Sequence, residues 1–258
     1  MRPAGSALTW TAYAGQGIVL NWVHAATDLN EDLRRGRTGR YRAGVAEVLA
    51  HSSVGRAPGG VRFRLNPNRF RDPDEPAVTH WRDGMGTALI LALLVPALPP
   101  DAPAHERRRA RDAAAQYLAT FSVSHRHGGV VWRDAGPGDW YLEYAHRTGR
   151  RVLNGFMQAV VSLARFERQA ARMAAADPSW APLRAEARRR VAAGATAVHR
   201  WLPSFDLGPG ATRYALGGGA ATAHYRLYHA ELLRLLAAVP YLPAAHRARF
   251  DHYRRRWG

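Results

Sequence analysis

The strongest constraint in this chain is a recurrence: helical patterning comes in pairs, and the pairs repeat at nearly even spacing. Apolar residues at helical period mark 17–30 with 40–51, 84–97 with 104–121, 152–174 with 181–201, and 223–238 with 244–257. The first members begin near residues 17, 84, 152 and 223, so one unit takes roughly 70 residues. This is the signature of a repeated helical hairpin, although residue-level repetition is absent. The pattern predicts an all-α chain of about four helical hairpins, in a single domain over 1–258.

Stop signals separate the partners of a pair. Asp177-Pro178-Ser179 breaks the third, with Ser179 expected to cap the helix that follows. Pro99-Pro100-Asp101 breaks the second, and the stretch from Pro240 to Pro243 the fourth. Long connections over 52–83, 122–151 and 202–222 join one pair to the next. Loops of that length inside a domain carry function or small strands, and 61–65 and 129–133 have strand character. If every pair goes up and returns, the long loops share one end and line one rim, a groove for an extended ligand. An open helical array is the other arrangement this pattern allows.

Composition narrows the function classes. Hydrophobic residues make up 47% of the chain, enough for a substantial core. The net charge of +17 fits a polyanion partner, yet all 37 basic residues are Arg, which equally fits a coding bias. The absence of Cys excludes disulfides, zinc-thiolate sites and cysteine nucleophiles. No apolar signal-peptide core is visible in 1–17. The longest apolar run, 87–98, is too short to span a bilayer and contains Pro96. A soluble chain of open localisation, without a transmembrane segment, is the expectation.

Polar and aromatic residues concentrate in the long connections. The densest cluster is Gly138-Asp139-Trp140-Tyr141-Leu142-Glu143-Tyr144, ahead of Val152-Leu153-Asn154-Gly155-Phe156. A second runs from Phe205-Asp206-Leu207-Gly208 to Arg213-Tyr214, and a third pairs Tyr225 with His229.

These motifs resemble the C-terminal domain of the heparosan D-glucuronyl C5-epimerase family. Trp140-Tyr141-Leu142-Glu143-Tyr144 and Val152-Leu153-Asn154-Gly155-Phe156-Met157 match its Glu-Tyr-Pro and Val-Leu-Asn-Gly-Phe signature. The likeness continues through Leu202-Pro203-Ser204-Phe205-Asp206-Leu207-Gly208, Tyr214, and Tyr225-x-x-x-His229 followed by Leu232. Upstream, Tyr13-Ala14-Gly15-Gln16-Gly17, Asn21-Trp22 and Trp81-x-x-Gly84-Met85 resemble earlier helix-start motifs. The resemblance implies an incomplete α/α toroid acting on D-glucuronyl residues of a glycosaminoglycan-like polymer, with no cofactor and with homodimerisation as an option. Animal members carry β-rich N-terminal domains, so a partner is an alternative source of groove-forming elements.

C5 epimerisation removes a proton α to a carboxylate and returns one to the opposite face. The carboxylate must be neutralised as enolate character develops, and an acid-base group must stand on each face. By match to the family pattern, Tyr144 and Tyr225 are the candidate catalytic groups. Glu143, Tyr214, Arg213, Asn154, His229 and Trp140 are the candidate substrate-binding residues, with Trp140 expected to stack on a pyranose. Each has a plainer alternative: Tyr144 as a loop cover, Tyr225 and His229 as a buried hydrogen-bonded pair, Asn154 as a helix-start residue. Three departures from the family stand out. Ala215-Leu216-Gly217 replaces its Asp-Leu-Arg, Ala145 replaces its proline, and Gly86-Thr87-Ala88 replaces its Ala-Gln-Gly. Arg213 and Arg226 are candidate substitutes for the missing arginine.

Other signals point elsewhere or nowhere. His125-x-His127 would hold a metal only on a strand and with a third ligand, so no metal is expected. The Arg clusters at 107–109, 188–190 and 254–256 read as solvated helix faces. No nucleic-acid motif accompanies the charge, and Gly217-Gly218-Gly219 lacks the context of a phosphate loop. Three functions stay open: a uronate C5-isomerase, a non-catalytic glycan-binding protein, and a uronate lyase that expels the C4 substituent from the same carbanion.

Overall fold

Among the described residues, eight α-helices carry the fold. The computed structural model describes residues 5–13, 17–72, 75, 77–98, 102–146 and 150–258. The helices are α1 (Trp22–Arg34), α2 (Thr38–His51), α3 (Gly84–Leu94), α4 (Ala104–Thr120), α5 (Leu153–Ala176), α6 (Ala181–Phe205), α7 (Ala223–Ala237) and α8 (Ala244–Trp257). They pair as predicted: α1 with α2, α3 with α4, α5 with α6, α7 with α8. The first members pack in a row, α1 on α3, α3 on α5, α5 on α7. The second members form an outer layer in which α4 meets α6 and α6 meets α8.

The sequence explains the two layers. Helix α3 (GMGTALILALL) has no charged side chain and is buried on almost every side, as an inner helix must be. Helix α5 buries Phe156, Leu163 and Phe166 completely, whereas α8 buries only Phe250 and Trp257 and leaves Arg249 and Arg255 exposed. Trp140 stacks on Phe156, and Tyr141 meets Phe156 edge-on, in one continuous core that runs from Leu8 to Trp257. Each such aromatic contributes about 1.5–3 kcal/mol through burial. On the outer faces the Arg clusters sit in local ion pairs, Arg189 and Arg190 with Glu186, Arg254 and Arg255 with Asp251.

Short antiparallel hairpins fill the connections. They pair β1 (Trp10–Tyr13) with β2 (Gly17–Leu20), β3 (Ser53–Arg56) with β4 (Arg62–Leu65), β5 (Pro67–Asn68) with β6 (Trp81–Arg82), and β7 (Val131–Trp132) with β8 (Trp140–Tyr141). The strand character read in 61–65 and 129–133 falls on β4 and β7.

Two local expectations change. The helix predicted over 17–30 starts only at Trp22, because Ile18-Val19-Leu20 forms β2 and Asn21 caps α1, its Oδ1 accepting from Val23 N at 2.9 Å. Ser179 does not cap α6. It donates to Asp177 instead, and a 3₁₀ turn over Pro178–Trp180 runs straight into the helix. The expected break at Pro99-Pro100-Asp101 and the Ala14-Gly15-Gln16 segment of the upstream motif lie outside the described residues.

Candidate active site

Helix N-termini present N–H groups with no intrahelical acceptor, and here two of them seize the loops that bear Glu143, Tyr144 and Tyr214. Gly84 N, at the start of α3, donates to Leu142 O at 3.0 Å, and Ala145 N returns a bond to Arg82 O at 3.1 Å. Gly84 is required for this approach, since a Cβ there would come 2.6 Å from Leu142 O. Glu143 and Tyr144 are thereby pinned to the start of α3. Helix α5 has no side-chain cap; Leu153 N donates to Tyr214 O at 3.1 Å, and Leu216 N to Arg151 O at 2.9 Å, which pins Tyr214 to the start of α5. Tyr225 and Tyr228 lie in the first turns of α7, behind the Thr222 cap.

The aromatic rings then close on one another. Tyr144 stacks on Trp81 at 4.9 Å, and the Arg150 guanidinium lies 5.0 Å from its ring centre. Tyr214 meets Tyr225 edge-on at 4.7 Å. Tyr228 donates to Gln158 Oε1 on α5 at 2.6 Å.

Glu143 is the common neighbour. It is 7% exposed, and its Oε2 has no hydrogen-bond partner among the described residues. Burial, and then the charge of Asp83, push its carboxyl up to about 8, while the adjacent Tyr144 phenol draws it back. Asp83, the cap of α3, is pushed up to about 6 by burial despite bonds from Gly86 N and the Asn68 amide. The Tyr144 and Tyr214 phenols are driven well above their ordinary range, by burial first and the Glu143 charge second. Burial, with Glu143 and Tyr225 adding to it, raises Tyr228 to about 12. At neutral pH this is a cluster rich in protons and poor in charge, beside two helix N-termini that favour an anion. Such a cluster can exchange protons with a bound carbon acid.

Of the residues singled out in the sequence, Tyr144, Tyr214, Tyr225 and Glu143 come together. Asn154 lies beside them at the start of α5, buried, with Oδ1 unpartnered among the described residues and no capping bond. Trp140 does not line a cleft: it is 1% exposed and stacks on Phe156 at 4.0 Å, because β8 turns both of its side chains into the core. His229 is fully buried between α7 and α8, its ring 6.3 Å from Trp257. Neither of its nitrogens has a partner among the described residues, so it forms no hydrogen-bonded pair with Tyr225. Arg213 donates to Gly218 O at 2.7 Å and Arg226 to Gly258 O at 3.1 Å, so neither is aimed at the phenols. Asp206 accepts from the Trp257 indole at 2.9 Å and from Arg256 at 2.8 Å, anchoring α8. His125 and His127 occupy a 3₁₀ turn, not a strand, and the His125 Nδ1 lies 3.1 Å from Val131 O. Among the described residues no three His, Asp or Glu side chains gather as a metal site requires.

Sequence reasoning missed Asp83, Tyr228 and Arg150. Asp83 precedes Gly84-Met85-Gly86 in the position of a helix cap, and Tyr228 follows Tyr225 by three residues, on the same helical face. A cavity of about 640 Å³ lies elsewhere, between α2 and α4, with an apolar floor of Val45, Leu49 and Leu98. It holds none of the perturbed acids.

Fold and site together define an all-α protein of helical hairpins with a buried carboxyl–phenol centre at the starts of its inner helices. The family model described as D-glucuronyl C5-epimerase C-terminus matches residues 69–258, and the chain belongs to that family. No curated protein matches the sequence. No helix among the described residues is long and apolar enough to cross a membrane.

Proposed function

We propose that this domain inverts C5 of D-glucuronyl residues in an acidic polysaccharide of the heparosan type, by proton abstraction on one face of the sugar and reprotonation on the other. The observation that carries this reading is the convergence of Tyr144, Tyr214 and Tyr228 on one buried carboxyl, Glu143, with Tyr225 against Tyr214. The two-layered row of hairpins is read as an incomplete α/α toroid whose rim receives the polymer, in one copy or as a homodimer. The +17 charge draws a polyanion to it.

Tyr144 serves one face and Tyr225 the other. A phenol driven above its usual range is a poor resting phenolate, so Tyr144 takes the C5 proton while passing its own to the Glu143 carboxylate. The C–H bond breaks, the phenol is regenerated, and Glu143 leaves the step protonated. Tyr225 donates its proton to C5 from the opposite face; its phenolate takes the Tyr214 proton, and Tyr214 takes the one held by Glu143, which returns to its carboxylate. Asn154 would accept a hydrogen bond from a sugar hydroxyl. No metal or redox group enters the balance of this step.

A non-catalytic glycan-binding role is the second reading, and Gly217 favours it. Where the family pattern has arginine, this chain has a glycine at φ 72°, a conformation that side-chain-bearing residues rarely adopt. Incubation with glucuronyl oligosaccharides in D2O, followed by NMR of H5, separates the readings. Loss of H5 with iduronyl signals supports the isomerase. An unsaturated uronate identifies a lyase, and binding without exchange identifies a glycan-binding protein.

A further inference from the structure

We propose that the gap between α2 and α4 is a binding site for a free amphiphilic anion, a single alkyl chain ending in a carboxylate or a comparable acidic head. The inference is independent of the proposed epimerase activity and uses none of its residues.

The outer layer runs from α4 through α6 to α8 but breaks at α2, which packs on α1 and on the 3₁₀ turn over Val95–Ala97. Helix α2 nevertheless turns a full stripe into the gap. Arg42, Val45, Ala46, Leu49 and Ala50 recur at the spacing of one helical face, and all of them line the cavity of about 640 Å³. Arg109, Ala113 and Gln116 do the same from α4, and Leu94 and Leu98 complete the apolar floor. A space of this size takes one small ligand. Among the described residues no Phe, Tyr or Trp lines it, so a pyranose finds no ring to stack on, whereas an alkyl chain needs only apolar area.

The rim selects the head group. On α6 and α8 the exposed arginines are matched by carboxylates of their own helix, Arg190 by Glu186 at 2.6 Å and Arg254 by Asp251 at 2.7 Å. At the cavity Arg42, Arg108 and Arg109 form neither an ion pair nor a side-chain hydrogen bond among the described residues. Glu106 precedes Arg109 by three residues and Asp112 follows Arg108 by four, spacings at which α6 and α8 close their pairs, yet neither pair closes here. Arg64, the fourth arginine, is held by Gln116 at 3.1 Å. Four arginines thus line an apolar floor with two carboxylates, an excess of two positive charges with His105 neutral. An acidic head neutralises that excess, and a cationic head adds to it.

The test is calorimetric titration of the full chain with hexanoate, octanoate and decanoate, and with decyltrimethylammonium, each below its micellising concentration and at neutral pH. The inference predicts one saturable site per chain for the carboxylates, tightening about two- to fourfold per added methylene, and no comparable site for the cationic amphiphile. The triple variant Arg42→Gln, Arg108→Gln, Arg109→Gln should weaken decanoate about tenfold or more, whereas Arg189→Gln, on the outer face of α6, should leave it unchanged. Leu49→Ser, at a half-exposed position of the floor, should flatten the dependence on chain length. The wild-type series decides the question even where a variant fails to fold. Carboxylate binding that is unsaturable, indifferent to chain length or as tight in the folded triple variant overturns the assignment. Binding to phosphatidylglycerol vesicles with none to the monomeric carboxylates makes the arginines a membrane-contact surface, and overturns it as well.

Discussion

Gly155 leaves the space that the Glu143 carboxylate fills: a Cβ at position 155 would come 2.0 Å from Oε2. The third residue of α5 is therefore glycine for a reason that has nothing to do with backbone conformation. The helix gives up propensity there so that a buried acid can lie against its first turn.

Gly155→Ala tests that relationship. Alanine adds up to about 1 kcal/mol of helix propensity, while a forced contact in a packed interior costs about 1–3 kcal/mol. The expected outcome is net destabilisation in a denaturant melt, together with a fall of at least about tenfold in C5 exchange as Glu143 is displaced.

Glu143 also sets a pH dependence. Its carboxyl, pushed from 4.5 to about 8, keeps its proton in the native state after the unfolded chain has lost one. Native protein then binds more protons than unfolded, so stability is full below about 4.5 and falls as pH rises, by at most about 1.4 kcal/mol per unit, levelling off above 8. Asp83, raised to about 6, acts in the same direction over a lower range. Glu143→Gln should flatten the upper part of this profile in melts between pH 6 and 9. In the wild type, exchange should rise with pH through about 8, as Glu143 becomes able to accept the Tyr144 proton. In Glu143→Gln that rise should vanish.

His229 has the opposite sign. Burial lowers it from 6.5 to about 4, so the unfolded chain takes up a proton first and stability is lost as pH falls through that window. Between about 4.5 and 6.5 this loss offsets the gain from Glu143. His229→Leu removes two unpartnered buried nitrogens and should stabilise the protein by about 1–3 kcal/mol near neutral pH, more below pH 6, while C5 exchange is unchanged. Slower exchange in this variant would return His229 to the site.

The hairpin architecture was legible because helical periodicity, proline breaks and long polar connections are local signals. Each predicted pair is a pair in space. The neighbours of Tyr144 were not legible, because they come together only through tertiary contact. Trp81 reaches Tyr144 through β6, Asp83 through the cap of α3, and Arg150 from beyond the loop after Tyr144. Trp140 was assigned to the groove since it sits in the motif with Glu143 and Tyr144, but a motif does not reveal which way a side chain points. Two residues of strand β8 send it into the core. Gly17–Leu20 was read as helix because a short apolar run lacks the length to separate period 2 from 3.6.

The central claim is that Tyr144 and Tyr225 stand on opposite faces of the sugar, and single-face exchange tests it most directly. Glucuronyl and iduronyl oligosaccharides are incubated separately in D2O with Tyr144→Phe and with Tyr225→Phe, and H5 loss is followed by NMR. Two-sided chemistry predicts that both variants lose epimerisation, while each still exchanges H5 of one epimer, a different one in each case. Wild-type epimerisation in either variant, or both variants retaining exchange of the same epimer, would contradict it.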